Sequence, residues 1–458
     1  MALEPRPDDL RLQKRPLLLG LLAVPLLAAL VGFISLQAKA PQWPSALVDP
    51  VQRGAIIASD GTVLAEGPAA RRRYPQGRLA AHIVGFSGAV QPDGSYGLEG
   101  LEHTLDARLQ RGEDVVISID PALQAVAEAE LRRAVTDHQA ENGVFVMLER
   151  STGRILAAAS YPDFDPNQPT SASRNELTNR AFLQQVEPGS TMKPFLVAAL
   201  LETGRLQPGE LIPVEPTIRV GTQTFRDVTT HDAFLDPTQI LRHSSNVGMI
   251  KIGQRFSPEE FYGWFNNFGF GQNLAMRHVF TRSGHINDWS SWVPQDHASL
   301  SIGQGLSVTG LQLAAAYNTL ANDGVYVAPR LVEDDVWEFE RSVVSPAVAQ
   351  QVRDMLVYTV EESSLRRAKI PGVAVAGKSG TADIFDQASG RYIPGDYTMS
   401  FAGFFPADDP RVTAVVYLQK PQIGTLSSLV ATPIFRAVGS ETVALWGIPS
   451  GISQYARQ

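Results

Sequence analysis

The chain has 458 residues, 39 basic and 47 acidic side chains, and a formal net charge of −8 at pH 7. This length is enough for two domains with sizeable cores, and the acidic balance disfavours nucleic acid as a partner. The absence of cysteine excludes disulfides, thiolate catalysis and Cys-ligated zinc. The eight histidines are scattered without metal-ligand spacing, so no metal site is expected and we interpret them as structural or surface residues.

An uncharged apolar segment lies near the amino terminus. Residues 17–36, LLLGLLAVPLLAALVGFISL, are long enough to cross a bilayer core of about 30 Å. Basic residues between positions 11 and 15 precede this segment, so the positive-inside rule keeps residues 1–15 in the cytoplasm. We therefore expect a transmembrane helix over 16–36, a single-pass protein of the cytoplasmic (inner) membrane, and a functional region outside the cytoplasm.

A cleaved signal peptide is the alternative for this segment. The sequence Ala38-Lys39-Ala40 has the A-x-A form that signal peptidase accepts. However, the apolar run exceeds the roughly 7–15 residues usual for a signal peptide, which favours a membrane anchor.

A small α+β module, which we call the pedestal, is predicted with its linker over 37–113. RGAIIASDGTVLA, at 53–65, reads as two short strands around an Asp-Gly turn. YGLEGLEHTLDARLQRG, at 96–112, reads as one helix with leucines on one face. On this helix we expect Glu99 and Glu102 to be solvated charges and not a catalytic pair.

A larger domain is predicted over 114–458. It begins with a helix in which Asp120 is the N-cap and Pro121 the first helical residue. GVFVMLERSTGRILAAAS predicts two strands, and VAVAGKSGTADIF, YTMSFAGFFPA and RVTAVVYLQKP predict three more near the carboxyl end. The intervening sequence is mainly helical and includes TGLQLAAAYNTLANDG. The predicted class is α+β, an antiparallel sheet covered by helices.

The stretch EPGSTMKPF places Ser190 at the amino terminus of a predicted helix and Lys193 three residues later. Free N–H groups and the helix dipole at that end favour a developing oxyanion, and the i+3 spacing puts the lysine within reach of the serine oxygen. A lysine acts as a base only if burial or a nearby cation lowers its pKa, so this hypothesis requires a second positive charge. Alone, S-x-x-K is weak evidence.

Lys378 is the candidate for that second charge. It begins KSGT on an apolar strand, where alternation sends Ser379 and Thr381 to one side and Lys378 to the other. Gly380 is expected to leave room for a ligand backbone. Such a strand can bind an extended peptide by β-addition and contact its carboxylate through the hydroxyls and the lysine.

HSSNVGM supplies a third motif, S-x-N. Its Ser244 and Asn246 could complete a hydroxyl–amide bridge between the two lysines, although the tripeptide alone is more often a cap or turn.

In the order S-x-x-K, S-x-N, K-[ST]-G, the sequence resembles the penicillin-recognising serine transferases. It looks most like the class B, monofunctional penicillin-binding proteins of the cell-division (septal) peptidoglycan D,D-transpeptidase group. The resemblance extends over nearly the whole chain after 36 and includes RGAIIASDGTVLA, GLEGLEHTLDARL, LAAASYPDFDPN and SIGQGLSVTGLQLAAAYNTLANDG. It implies the penicillin-binding-protein transpeptidase fold, with a helical subdomain beside the sheet and a pedestal of the dimerisation type.

The resemblance also implies roles for the motif residues. Ser190 would attack a D-Ala-D-Ala stem peptide and form an acyl-enzyme, with Lys193 as its base. Ser244 and Asn246 would relay protons and hold the donor, and Lys378 would tune the electrostatics. The implied substrate-binding residues are Ser379, Gly380 and Thr381, and the implied oxyanion hole consists of the backbone N–H groups of Ser190 and Thr381.

The implied partners are the donor and amine-acceptor stem peptides, β-lactams that inhibit covalently, a SEDS-type polytopic glycosyltransferase and other divisome membrane proteins; no cofactor is implied. The motifs read SSN and KSG where the general pattern has SDN and KTG, and both keep the hydroxyls and the amide. Residues 41–113 are too few for a glycosyltransferase domain, so the chain is expected to cross-link peptidoglycan and not to polymerise it.

Three alternatives remain. An elongation-specific class B transpeptidase would carry a larger membrane-proximal insertion. A serine β-lactamase or β-lactam sensor shares the motifs, but a hydrolase needs a group that activates water for deacylation, and none is identified. A divisome scaffold with a vestigial site is disfavoured because every motif position is filled.

Overall fold

The computed structural model describes residues 52–449, apart from 275, 336–338, 387–388 and 425. The predicted cytoplasmic tail and transmembrane helix, within 1–36, lie outside the described residues. Of the helices in the described ranges, none is both long enough and apolar enough to span a membrane. The described residues belong to one compact unit, so the predicted boundary between 113 and 114 stays a prediction.

Most of the strands are short and pair locally. In chain order they are β1 (Ile56–Ile57), β2 (Val63–Ala65), β3 (Phe86–Ser87), β4 (Gly97–Glu99), β5 (Val115–Val116), β6 (Asn142–Glu149), β7 (Ile155–Tyr161), β8 (Ile212–Pro213), β9 (Thr217–Val220), β10 (Gln223–Arg226), β11 (Phe234–Leu235), β12 (His285–Ile286), β13 (Leu306–Ser307), β14 (Val325–Val327), β15 (Glu340–Ser342), β16 (Ala376–Asp386), β17 (Arg391–Phe405) and β18 (Val412–Gln419).

The α-helices are α1 (Ala81–Val84), α2 (Gly100–Thr104), α3 (Asp106–Gln110), α4 (Pro121–Asp137), α5 (Arg174–Leu177), α6 (Arg180–Leu183), α7 (Lys193–Glu202), α8 (Pro237–His243), α9 (Asn246–Gly253), α10 (Pro258–Asn267), α11 (Pro294–Ser301), α12 (Gly310–Ala321), α13 (Pro346–Glu361), α14 (Ser427–Val430) and α15 (Thr432–Leu445). Short 3₁₀ turns lie at Ala69–Arg71, Pro169–Ser171, Gly189–Met192, Trp289–Ser291 and Ser364–Ala368.

The central element is a five-stranded antiparallel sheet in the order β16-β17-β18-β6-β7. The five strands predicted from sequence are therefore confirmed, and they come from the two ends of the larger domain. Helices cover both faces: α4 and α15 pack on one, and α12 packs on the other. Burial on both faces explains why these strands read as nearly continuous apolar runs instead of alternating ones.

The helix that opens the larger domain forms as predicted. α4 begins at Pro121, and the Asp120 side chain accepts hydrogen bonds from the backbone N–H groups of Ala122 and Leu123 at 3.0 and 3.2 Å. This cap satisfies two of the N–H groups that a helix start leaves without partners.

The single helix predicted over 96–112 is wrong. Its first residues form strand β4, which pairs with β3, and Gly100 then turns the chain with a φ of +59°. Two short helices, α2 and α3, follow and are separated at Leu105, whose backbone angles are not helical. The leucine spacing is helical, but the strand pairing and the glycine override it locally.

Glu102 is not a solvated charge, which corrects the second expectation for this segment. Its side chain is 0% exposed and pairs with Arg53 Nε at 2.7 Å and with Arg72 Nε at 2.6 Å. Arg53 also binds the Asp106 carboxylate at 2.7 Å. Helical spacing shows which face a residue shares, but it does not reveal a buried arginine supplied from 49 positions earlier in the chain. Glu99, in contrast, is exposed as expected.

Replacing Glu102→Gln should lower the free energy of unfolding by about 3 kcal/mol, because two buried guanidinium groups lose their shared carboxylate. Glu99→Gln, on the exposed neighbour, is the matched control and should change stability by no more than about 0.5 kcal/mol. Denaturant unfolding of the full chain in detergent measures both. Equal stability of the two variants would contradict the structural role of Glu102.

Candidate active site

Ser190 lies in the 3₁₀ turn Gly189–Met192, directly before α7. Gly189 has a φ of +56°, and a Cβ atom there would lie 3.1 Å from the carbonyl oxygen of Thr381. The serine-bearing turn is thus packed against strand β16, and only glycine combines this backbone angle with so close an approach. The predicted helix start is confirmed, with a 3₁₀ turn as its first segment.

Gly380 lies close to the loop before Ser190. A Cβ atom there would lie 2.6 Å from the Pro188 carbonyl oxygen and 2.6 Å from Ser400 Oγ. The missing side chain therefore admits the loop before Ser190, and the space beside the Cα atom is filled by protein. Binding of a ligand backbone at Gly380 stays a prediction.

The S-x-N motif forms the turn between α8 and α9. Ser244 ends α8 in the left-handed region with a φ of +56°, and the Ser245 side chain caps α9 by accepting a hydrogen bond from Gly248 N. A non-glycine residue at positive φ persists only where its surroundings fix it. Here the strained backbone points the Ser244 carbonyl oxygen at Lys193, 2.6 Å from its Nζ.

A chain of hydrogen bonds connects the first two motifs. Ser244 Oγ lies 2.9 Å from Ser190 Oγ and 3.2 Å from Lys193 Nζ. Lys193 Nζ also donates to Asn246 Oδ1 at 2.8 Å. Four of the predicted site residues are thus joined by hydrogen bonds: Ser190, Lys193, Ser244 and Asn246. Ser244 lies between the Ser190 hydroxyl and the Lys193 amine.

The pKa of Lys193 is lowered, as the hypothesis from the sequence requires of a lysine that acts as a base. The residue is 0% exposed, and burial is the main reason that its pKa lies well below the ordinary value. The charge of Lys378 lowers this pKa further, whereas that of Asp227 raises it. The required second cation is therefore present, although desolvation has the larger effect.

Lys378 lies on β16 and is 2% exposed. Burial lowers its pKa to about 7, and its Nζ donates to the carbonyl oxygen of Ser379 at 3.0 Å. Along the strand, Lys378 is buried, Ser379 is half-buried and Thr381 is exposed, which confirms the predicted alternation.

Strand β16 is at the edge of the sheet, since among the described residues β17 is the one strand that pairs with it. The N–H and C=O groups along an unpaired edge can accept an added strand. Thr381 Oγ1 lies 2.8 Å from Ser427 Oγ, which in turn donates to the Gly380 carbonyl oxygen at 2.6 Å. Ser427, on α14, was not singled out from the sequence, because no local signal relates it to a strand more than forty positions earlier.

Glu187 is a second residue that the sequence reasoning missed, although it opens the stretch EPGSTMKPF. Burial raises the pKa of Glu187 to about 7, and hydrogen bonds from Gly305 N and the Tyr392 hydroxyl moderate the increase. Tyr392 belongs to β17, so this contact ties the β16–β17 hairpin to the loop that carries Ser190.

Asp227 is the third missed residue and the one closest to the motif chemistry. It accepts hydrogen bonds from the backbone N–H groups of Asn246 and Val247 and from the Ser245 hydroxyl. It lies 19 positions before Asn246, and the sequence offers no recognisable spacing that links the two. In the described part of the chain, no three His, Asp or Glu side chains are grouped so that they could hold a metal ion.

The chain matches a known protein family and is similar in sequence to known proteins. Residues 143–439 match the penicillin binding protein transpeptidase domain. The chain is similar to the probable peptidoglycan D,D-transpeptidase PenA of Neisseria gonorrhoeae, with 33% identity over 405 residues, 82% of this chain and 69% of that protein. It is also similar to the peptidoglycan D,D-transpeptidase FtsI of Escherichia coli, with 31% identity over 400 residues, 80% of this chain and 66% of that protein.

Among solved structures, penicillin binding protein 3 from Mycobacterium tuberculosis, complexed with aztreonam, has a similar fold. The TM-score is 0.80 at 31% sequence identity, and the match covers 87% of this chain and 97% of that one. The fold and the sequence therefore both indicate the penicillin-binding proteins.

The replacement Gly380→Ala should lower stability by about 1–3 kcal/mol, because the new methyl group collides with Pro188 and Ser400. Gly263→Ala is the matched control, since a Cβ atom at Gly263, within α10, meets nothing within 4 Å. That change should raise stability by up to about 1 kcal/mol. Thermal unfolding distinguishes them, and a Gly380→Ala protein as stable as the parent would contradict the packing described.

Proposed function

The chain belongs to the class B penicillin-binding protein transpeptidase family, and from this premise we propose that it cross-links peptidoglycan stem peptides through an acyl-enzyme on Ser190. The observation that supports this most is the hydrogen-bond chain from Ser190 through Ser244 to a buried lysine. Such a serine needs a base, and the lowered pKa of Lys193 favours the neutral amine that a base requires.

The hydrogen-bond inventory of Lys193 supports a direction for proton transfer. A neutral amine has two N–H donors and one lone pair. The carbonyl oxygen of Ser244 and the Asn246 side-chain oxygen accept the two N–H bonds at 2.6 and 2.8 Å. The lone pair is then left for the Ser244 hydroxyl, so Ser244 passes its proton to Lys193 as it takes the proton of Ser190.

Acylation proceeds as Ser190 Oγ attacks the penultimate D-alanine carbonyl carbon. The carbon–nitrogen bond to the terminal D-alanine breaks, and the proton held by Lys193 returns through Ser244 to the departing amine. An acceptor amine then attacks the ester, and Ser190 regains its proton. The Ser190 position at the start of a helical segment, beside Thr381 on β16, supports an oxyanion hole formed by their backbone N–H groups.

The edge strand β16 supports donor binding. An extended stem peptide can pair along its free edge, with its terminal carboxylate near the exposed Thr381 hydroxyl, Ser379 and the charge of Lys378. Thr381 is oriented by Ser427, which fixes its hydroxyl group at 2.8 Å. Penicillin would enter the same place and leave a stable acyl group on Ser190.

We extend the proposal to septal synthesis during cell division, because the motif phrases resemble that group and the short pedestal leaves little room for the larger membrane-proximal insertion of an elongation-specific enzyme. In this setting the predicted 16–36 helix anchors the chain in the cytoplasmic membrane, and a SEDS-type glycosyltransferase and other divisome proteins supply the glycan strands and the contacts. An elongation role is the competing assignment.

Ser190 is the expected site of acylation. Incubation of the full chain with benzylpenicillin should give one stable adduct by intact mass, and Ser190→Ala should give none. Ser290→Ala, an exposed serine outside the site, is the matched control and should be acylated normally. Rapid return to the free mass with consumption of the drug would mean a β-lactamase, and a folded parent without any adduct would favour the scaffold.

The acylation rate is expected to depend on pH through the two buried lysines. The acylation rate should fall on the acid side as Lys193 gains a proton, and Lys378→Met should move this acid limb to higher pH. The sign follows because the charge of Lys378 lowers the pKa of Lys193, and Lys378 is charged below its own pKa of about 7.

Lys251→Met, a partly exposed lysine paired with Glu215, is the control and should leave the limb in place. Stopped-flow acylation from pH 4 to 10 measures the limb. An unmoved or lowered limb in Lys378→Met would contradict the electrostatic coupling of the two lysines.

A further inference from the structure

A buried carboxylate lies directly behind the S-x-N turn. Asp227 Oδ1 accepts the backbone N–H of Val247 at 3.0 Å and also that of Asn246, while Oδ2 accepts the Ser245 hydroxyl at 2.6 Å. Ser245 and Asn246, the turn residues after Ser244, are therefore both hydrogen-bonded to the Asp227 side chain, which is 3% exposed. The Asn246 amide nitrogen adds a bond to the Arg226 carbonyl oxygen at 3.0 Å. These contacts fix Asn246 Oδ1 where it meets Lys193.

The partner of this carboxylate is His231, whose side chain is 5% exposed. Its Nε2 lies 2.7 Å from Asp227 Oδ2, and its Nδ1 lies 2.8 Å from the Asp232 carbonyl oxygen. Both neighbours are acceptors, whereas a neutral imidazole has one N–H donor. Only the doubly protonated ring satisfies both contacts, so the geometry selects an imidazolium.

We infer that Asp227 and His231 are positioning residues for the transfer reaction: an imidazolium–carboxylate pair that holds the Ser244–Asn246 turn against Lys193. The inference rests on the proposed function, since it assigns a task within the same site. Neither residue touches Ser190. Their effect passes through Asn246 and Ser244, which contact the Lys193 amine.

The surroundings of His231 favour its charged form. Burial alone lowers the pKa of His231, but hydrogen bonds to the Asp232 carbonyl and the Asp227 carboxylate outweigh it, so this pKa lies above the ordinary value. The neighbouring ring of His243, 5.8 Å away, lies beside Arg242. Burial and the Arg242 charge lower the pKa of His243, so that ring stays neutral while His231 is charged.

The pair borders a cavity of about 550 Å³ that Glu215 also lines. Glu215 is paired with Lys251, and Lys193 bonds to Asn246 Oδ1 at 2.8 Å. Through the cavity, His231 can exchange its proton with solvent. Because the folded-state pKa is raised, the pair is intact below it and is lost as pH rises through it.

Two effects of pH on the acylation rate follow. One lies at alkaline pH and depends on His231, and the other lies at acid pH and depends on Asp227. Acylation by the unaltered chain should slow at alkaline pH as His231 loses a proton. In Asp227→Asn the acid limb should move to lower pH, because the carboxylate raises the pKa of Lys193. That shift is opposite to the one expected for Lys378→Met. A residue that only stabilised the fold would move neither limb.

The experiment compares stopped-flow acylation of the full chain in detergent by benzylpenicillin from pH 4 to 10. His231→Phe removes both donors and should slow acylation at pH 7 by roughly 100-fold, the cost of a displaced catalytic group. His231→Gln keeps N–H donors that do not titrate, so it should retain most of the rate. Its rate should also fall less at alkaline pH than that of the parent, since only the loss of charge on Lys378, with a pKa of about 7, remains. The double variant Asp227→Asn/His231→Phe should be no slower than the worse single variant, because the two act as a unit.

His285→Gln is the matched control, because His285 is exposed and bonds the Asn287 side chain away from the site. It should reproduce the parent profile. If His231→Phe fails to fold, as judged by circular dichroism and thermal unfolding, His231→Gln and Asp227→Asn carry the test. An alkaline profile of His231→Gln that is identical to that of the parent, or an unmoved acid limb in Asp227→Asn, overturns the inference.

Different results would contradict the proposed function and the positioning role of Asp227 and His231. If the parent protein forms no adduct at any pH, the proposed function is wrong. If the parent is acylated through Ser190 but the Asp227 and His231 variants share its rate and both limbs, only the positioning inference is wrong.

Discussion

The site depends on the removal of one lysine amine from water. With no exposed surface, Lys193 loses the solvation that would keep it protonated, and the structure replaces water with the Ser244 carbonyl and the Asn246 amide oxygen. Polar groups so deep in a protein are costly unless their partners are in place. The helix start, the strained Ser244 turn and the edge strand are all positioned so that these partners meet.

The five-stranded sheet and its helices provide the rigidity this requires. β16 carries Lys378 and packs against the turn that contains Ser190. Because Gly380 and Gly189 have no Cβ atom, the strand and the turn can approach each other closely. α7 carries nine consecutive buried residues from Lys193 onward, so the helix is held on all sides. A site built on such elements resists small displacements, and displacements of about 1 Å are enough to slow catalysis strongly.

Much of this could be predicted from the sequence where the signal is local. The Asp120-Pro121 helix start, the five apolar strands and the alternation along KSGT all follow from neighbouring residues, and the order of three motifs indicated the family. The sequence did not reveal contacts made at long range. Glu102 looked like a surface charge because the arginine that neutralises it comes from another part of the chain, and β4 replaced helical residues because β3 pairs with them.

The same limit applies to Asp227, His231 and Ser427. Asp227 and Ser427 contact motif residues, and His231 contacts Asp227, at sequence separations that no pattern encodes. His231 was also one of eight scattered histidines interpreted as ordinary. Gly380 shows the same limit, because its close approach to the Pro188 carbonyl oxygen is a long-range contact that no local pattern predicts.

The first strand of the pedestal has a mechanical consequence. β1 runs parallel to β5, and Val115 N and Ile117 N donate to the carbonyl oxygens of Ala55 and Ile57 at 2.8 Å. β5 lies just before the helix that opens the larger domain. A pulling force on the amino-terminal side of β1 would therefore act along the strands and stretch the β1–β5 hydrogen bonds at the same time. β5 would transmit this force to α4, which packs on the five-stranded sheet.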